Sequence, residues 1–180
     1  MRLVPMPLER TVDAAASTDA APSMAELYRD HAAYVARVAH ALLGRDDEVD
    51  DVVQEAFVDA MRALPQLRDP AAARGWLRVI TVRRARGKLK ARRLRGWLGI
   101  DDAPGYDEVA AAGASPEDRA LLARVYAILD ELPTSDRLAW SLRHVEGERL
   151  EEVAHLCGCS LATAKRRIDA AEKFIAEKTR

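Results

Sequence analysis

Apolar residues recur at three- and four-residue spacing along most of the chain. The clearest run joins Val49, Val52, Val53, Ala56, Phe57, Ala60, Met61 and Leu64, which fall at the i, i+3, i+4, i+7 positions of one helix face. The opposite face carries Glu48, Asp50, Asp51, Gln54, Glu55 and Asp59. Asp46 and Asp47 put carboxylates at the start of this helix, where its dipole favours them, and Pro65 stops it. Upstream, Ser23 with Glu26 three residues on makes a capping box. It opens a helix that buries Leu27, Tyr34, Val35, Val38, Leu42 and Leu43 and ends at Gly44. Asp69-Pro70 is an N-cap followed by proline at the first helical position. The third helix it opens should break near Gly75, run to about Arg93, and turn Trp76, Leu77, Ile80 and Leu89 inward.

A second set of helices follows. Ser115-Pro116-Glu117-Asp118 combines an N-cap, a proline and first-turn acids ahead of the stripe Leu121, Leu122, Val125, Ile128, Leu129 and Leu132. Pro133 breaks that helix. Ser135 is placed to cap the next, which turns Leu138, Ala139, Leu142 and Val145 inward before Gly147. Leu150 to Leu156, the turn Cys157-Gly158-Cys159-Ser160, and Leu161 to about Lys178 then read as a short helix, a glycine-containing turn and a longer basic helix. That is the pattern of a helix-turn-helix. Two segments lack periodicity. Residues 1–22 hold three prolines in an Ala/Ser/Thr/Asp mixture and read as a disordered tail; residues 96–114 hold four glycines and a proline and read as a flexible acidic linker. The expected organisation is all-α, with one small helical domain at 23–95 and a second at 115–180.

Composition agrees with the helical reading. Alanine supplies 34 of the 180 residues and aromatic residues only 5%, a balance that favours helix over strand. Cys157 and Cys159, two residues apart, are poorly placed to bridge each other, and no disulfide framework exists; a reducing cytoplasm fits. Pro5 and Pro7 interrupt any signal-like apolar stretch, and no run of about 18 apolar residues is present to span a membrane.

Charge changes the picture. The sum of 28 Lys+Arg and 29 Asp+Glu is near neutral, which by itself argues against a nucleic-acid binder. The charges are segregated, however. Residues 46–59 hold seven acids, residues 70–100 hold ten bases and no acid, and residues 101–108 hold four acids. A stretch of ten cations attracts a polyanion, and the flat Trp76 within it suits base stacking as well as phosphate contact. Its bland alternative is a solvated basic face. In the helix-turn-helix, Gly158 suits a turn position of positive φ, and Ser160 can cap a helix presenting Ala162, Thr163, Lys165, Arg166 and Arg167. Arginine there can read guanine while lysine and the helix N-terminus hold phosphate; an ordinary helical hairpin is the alternative. The acidic face of the second helix is either solvated or a dock for a basic protein. His144, His155, Cys157 and Cys159 match no zinc spacing, and no cofactor or enzymatic motif is recognisable.

Taken in order, these segments resemble the extracytoplasmic-function sigma factors of bacterial RNA polymerase, within the sigma-70 superfamily, over about residues 24–178. Asp50-Asp51-Val52-Val53-Gln54-Glu55-Ala56-Phe57 resembles region 2.2, Pro70 to Arg93 around Trp76-Leu77 resembles regions 2.3 and 2.4, and Leu132-Pro133 through Arg137, Leu142, Gly147 and Leu150 to Ile168 resembles region 4. The resemblance implies a non-enzymatic transcription initiation factor without a cofactor. Its partners would be core RNA polymerase (the β′ and β subunits), promoter DNA and an anti-sigma factor. It implies core docking by Asp47, Asp50, Asp51, Gln54 and Glu55. Arg74, Trp76, Arg78, Arg83, Arg84, Arg86, Lys88 and Lys90 would melt and read the −10 element. Ser160, Thr163, Lys165, Arg166, Arg167 and Lys173 would read the −35 element. Where relatives often carry asparagine after an Ile-Ala-X pattern, Arg83 follows Ile80-Thr81-Val82 and is expected to hold phosphate; Asp169 shifts −35 contacts onto the neighbouring cations. The competing classes are a stand-alone helix-turn-helix regulator and a sigma-like protein-interaction module.

Overall fold

A computed structural model describes residues 22–100 and 115–179. The tail at 1–21 and most of the expected linker lie outside the described residues. Seven α-helices occur among those described, with no strand: α1 (Met24–Leu43), α2 (Asp46–Ala63), α3 (Ala73–Trp97), α4 (Pro116–Glu131), α5 (Thr134–His144), α6 (Leu150–Cys157) and α7 (Leu161–Lys178).

Local signals set most boundaries. The Ser23 hydroxyl accepts from the Glu26 N–H while the Glu26 carboxylate accepts from the Ser23 N–H, closing the capping box of α1. Gly44 ends α1 at φ 68°. Ser115 and Asp118 repeat the box on α4. Asp69 accepts from the Ala71 N–H over a 3₁₀ turn, Pro70–Ala72, that leads into α3. α3 itself does not break: Gly75 sits within one continuous helix that reaches Trp97, past the expected stop at Arg93 and into the start of the expected linker. One glycine costs about 1 kcal/mol in a helix interior, and the packed face of Leu77, Ile80, Val82, Ala85 and Leu89 outweighs it. Pro133, not Ser135, occupies the N-cap of α5, and the Ser135 hydroxyl turns to Asp136 instead.

Helices α1, α2 and α3 pack mutually, as do α5, α6 and α7. The two sets meet through a shared apolar cluster. Val38, Leu42, Val52, Val82 and Leu89 belong to the same apolar cluster as Leu138, Leu142, Val153, Leu156 and Ile168. α5 lies directly against α1 and α3. Several expected core positions face solvent or its margin. Met61, Leu121 and Val145 are exposed, and Trp76 is half-buried at the edge of two small clusters with Leu27, Phe57 and Leu67.

The joint between the sets is polar at its centre. Arg137 of α5, only 2% exposed, donates from Nε to the Leu42 carbonyl and from a terminal nitrogen to the Leu43 carbonyl at 2.9 Å. Arg92 of α3 reaches the same Leu43 carbonyl and pairs with Glu48, and both arginines converge on Asp130 of α4. The Tyr126 hydroxyl donates to the His40 carbonyl at 3.2 Å, and its ring lies against Gly44. A β-carbon on Gly44 would collide with that ring, whereas one on Gly158 (φ 60°) would meet open space.

This difference is measurable. Gly158→Ala should cost only the left-handed backbone penalty, about 1–2 kcal/mol. Gly44→Ala should cost that and about 1–3 kcal/mol more from overpacking. Urea unfolding of the two variants compares them directly, and equal losses would contradict the Tyr126 contact.

Candidate nucleic-acid interface

The three candidate surfaces lie on α2, α3 and α7. On α2, Asp47, Asp50, Asp51 and Gln54 are exposed and Glu55 is half-buried. Asp51 accepts from Lys88 at 2.6 Å and Glu55 from Arg84 at 3.2 Å, so the edge facing α3 is already neutralised. Asp47, Asp50 and Gln54 carry no ion pair or hydrogen bond among the described residues, and they form the open part of the acidic face.

On α3 the ten cations are far from equivalent. Arg84 is bound by Asp59 and Glu55 of α2, and Arg83 lies 3.4 Å from Asp59. Arg78 pairs with Glu148 and Glu152 across the joint. Arg86 donates to the Leu156 carbonyl at 3.3 Å and Arg93 to the Leu132 carbonyl at 2.6 Å. Arg74 stacks 4.3 Å from the Tyr34 ring centroid. Lys90 is exposed and free of an ion pair among the described residues. Trp76, half-buried against Met24 and the Leu27 cluster, presents only part of its ring. The expected reader is thus a mixed surface, in which Arg74, Arg83, Lys90 and the edge of Trp76 are outward and most of the rest is braced by acids distant in sequence.

The helix-turn-helix has the expected geometry. Gly158 takes φ 60°, its N–H bonding the His155 carbonyl and the Cys159 N–H bonding the Ala154 carbonyl. Val153, Ala154, Leu156, Ala164 and Ile168 pack α6 on α7. Lys165, Arg166 and Lys173 are exposed, and Arg167 is half-buried. Ser160 and Thr163 do not project freely: the Ser160 hydroxyl caps the Thr163 N–H at 3.2 Å and contacts the Thr163 hydroxyl at 2.9 Å. Burial raises the Cys157 thiol above its ordinary range, which leaves it protonated and unreactive at neutral pH. His144 pairs with Glu172 at 2.9 Å, away from the two cysteines.

Sequence reasoning missed the buried Glu48, Arg92 and Arg137 and the half-buried Asp130 that joins them. Arg92 falls in register with Leu77, Ala85 and Leu89 on the inward stripe of α3, and that register was the available signal. Asp130 and Glu48 are brought to it only by the tertiary fold.

The described residues set an acidic helix beside a basic one and include a helix-turn-helix with an open basic recognition helix. Family profiles for sigma-70 region 2 and sigma-70 region 4 match residues 27–95 and 122–175. The sigma factor SigE of Mycolicibacterium smegmatis is 36% identical over 161 residues, which cover 87% of this chain and 61% of that relative. The sigma-E factor of Escherichia coli is 34% identical over 140 residues, 73% of each chain. CnrH, solved in complex with the cytosolic domain of CnrY, superposes at TM-score 0.58 with 27% identity, covering 87% of this chain and 86% of CnrH. RpoE of Bartonella quintana, solved with the anti-sigma factor NepR, has the same fold at TM-score 0.58 and 20% identity, covering 83% of this chain and 92% of that one. The chain belongs to the extracytoplasmic-function sigma factors of the sigma-70 family. A stand-alone helix-turn-helix regulator would account for the region 4 match but not for region 2. Among the described residues no helix is long and apolar enough to cross a membrane.

The ion pairs that brace α3 are testable by pH. The hydrogen bond from Arg84 holds the Asp59 carboxyl below the ordinary carboxylate range. A lowered folded value means that the stabilisation is fully present above about pH 4, the unfolded carboxylate range, and is lost as pH falls through the lowered value. Asp59→Asn should therefore lower the melting temperature at pH 7, and the difference from wild type should shrink as pH falls below the ordinary carboxylate range and vanish once Asp59 is protonated in the folded chain.

Proposed function

We propose that this chain confers promoter specificity on core RNA polymerase in the cytoplasm and catalyses no reaction itself. The observation that carries the reading is the match to both sigma regions in order, with the acidic face of α2 and the basic face of α7 both open to partners. Asp47, Asp50 and Gln54, with the outer edges of Asp51 and Glu55, dock on a basic surface of the core enzyme. Arg74, Trp76, Arg83 and Lys90 meet the −10 strand. Arg78, Arg84, Arg86 and Lys88 join them when their present partners release them. Lys165, Arg166, Arg167 and Lys173 meet the −35 duplex, with Ser160 and Thr163 fixing the start of the recognition helix instead of reading bases. Phosphate contacts position such a protein, and base contacts select the promoter. One structural neighbour was solved with an anti-sigma factor bound and another with the cytosolic domain of CnrY, which supports an anti-sigma partner here.

Run-off transcription with purified core polymerase and promoter fragments tests the reading. Added protein should produce new start sites; duplex binding without any start site would overturn it. Asp50→Arg with Gln54→Arg breaks no internal ion pair, so it should abolish core pull-down with the melting temperature unchanged. Arg166→Ala with Arg167→Ala should weaken binding to −35 duplex by about tenfold or more, each base or phosphate contact being worth about 1–3 kcal/mol, while core affinity stays within twofold.

A further inference from the structure

α7 carries two stripes that run two residues out of phase. Ala164, Ile168, Ala171 and Ile175 fall at i, i+4, i+7 and i+11, and that stripe is buried or half-buried against the rest of the fold. Ala162, Arg166, Asp169 and Lys173 repeat the same spacing two residues earlier, about 200° around the helix. All four are exposed. The open stripe is the face that a helix-turn-helix lays into the major groove. Arg166 and Lys173 suit that place by charge and Ala162 by size. Asp169 is an acid in the middle of a surface that meets a polyanion.

Asp169 has no internal task. Lys165, Arg166 and Lys173 stand four before, three before and four after it, at the spacing of helical ion pairs. Yet no ion pair or hydrogen bond joins Asp169 to them or to any other described residue. Ser160 already caps the helix, and the ninth position of α7 lies beyond the first turn, where the helix dipole favours an acid. Ala162 and the adjacent Ala170 are exposed and end at the β-carbon, so only the cations stand tall beside the carboxylate. A carboxylate accepts and cannot donate. It is repelled by phosphate, but at base edges that same property selects. Cytosine offers its N4 amino group, whereas guanine O6 and thymine O4 are acceptors. Adenine sets its N7 acceptor beside the N6 amino group, which opposes a second carboxylate oxygen.

We propose that Asp169 is a specificity-determining residue of the recognition helix, accepting a hydrogen bond from the N4 amino group of one cytosine in the −35 duplex. The assignment rests on the reading of α7 as the −35 recognition helix. Lys165, Arg166 and Lys173 supply the attraction to DNA, and Asp169 decides where it is used. On any duplex without that cytosine the carboxylate faces acceptors and phosphates with nothing to offset the repulsion. It therefore weakens binding to wrong sequences more than it strengthens binding to the right one, and specificity gains from both differences.

The test is selection of duplexes from a randomised DNA library by the full chain, alone and assembled with core polymerase, followed by anisotropy titration of the enriched duplex. The wild-type motif should contain one column restricted to cytosine. D169A should lose that column, discriminate against thymine there about tenfold less well, and bind random-sequence duplex more tightly than wild type. D169N, whose amide both donates and accepts, should move the preference from cytosine to adenine. E177Q removes an exposed acid from the last turns of the same helix and should leave the motif unchanged. Asp169 makes no internal bond, so D169A and D169N should melt with wild type, and a changed motif is then not a lost fold. A wild-type motif without a cytosine column, or the same motif for wild type and D169N, would overturn the assignment. Run-off transcription separates it from the functional reading. Core-dependent start sites with an unchanged D169N motif sink the assignment alone. A cytosine-to-adenine change in the free chain without any core-dependent start site sinks the sigma reading alone.

Discussion

The carbonyls at the C-terminal end of α1 cannot be satisfied within their own helix, and the way they are satisfied organises the molecule. Gly44 and the Tyr126 hydroxyl both serve the His40 carbonyl. Arg137 serves Leu42 and Leu43, and Arg92 also reaches Leu43. Two of these donors come from the second helical set. Because Arg137 is buried, its charge needs an anion, and Asp130 at the end of α4 supplies it. The apolar cluster of α1, α3, α5 and α6 then closes around this polar centre. Removing one charged partner from such a group leaves another buried and uncompensated, which is the costly case for buried ion pairs.

The same logic governs the charge pattern. In the sequence, acids and bases stand in separate blocks; in the fold, α2 lies along α3 and the blocks neutralise each other. Asp51, Glu55 and Asp59 meet Lys88 and Arg84, residues 25 to 37 positions away. Arg78 finds its acids 70 and 74 positions away. A polyanion approaching α3 therefore meets a surface of exchangeable ion pairs with a few free cations, not a bare basic stripe. Exchange of one anion for another costs less than desolvating a free guanidinium, so a paired surface of this kind still suits reversible DNA contact.

How much of this was legible depended on whether the signal was local. The capping box at Ser23, the N-cap at Ser115, the proline stops, the helix end at Gly44 and the positive φ of Gly158 are set by neighbouring residues, and they could be read directly. The helix-turn-helix and its open cations could be read for the same reason. Periodicity placed most of the core, but it cannot say which margin of a stripe will be covered. Met61, Leu121 and Val145 fit their stripes and yet stand exposed, because no neighbouring helix reaches them. The half-burial of Trp76, the internal pairing of Arg78 and Arg84, and the Arg137–Asp130 centre depend on how the helices meet, which no local window contains.

The shared apolar cluster has a consequence for the order of events at the ribosome. Val38, Leu42, Val82 and Leu89 are in place once α3 is made, but the helix that covers them supplies Leu138 and Leu142 some fifty residues later. At the usual pace of synthesis that interval lasts about 3–10 s. For that time the first three helices carry a bare hydrophobic face, and Leu42 and Leu43 wait for Arg137. The core of the first three helices is therefore completed only when α5 emerges.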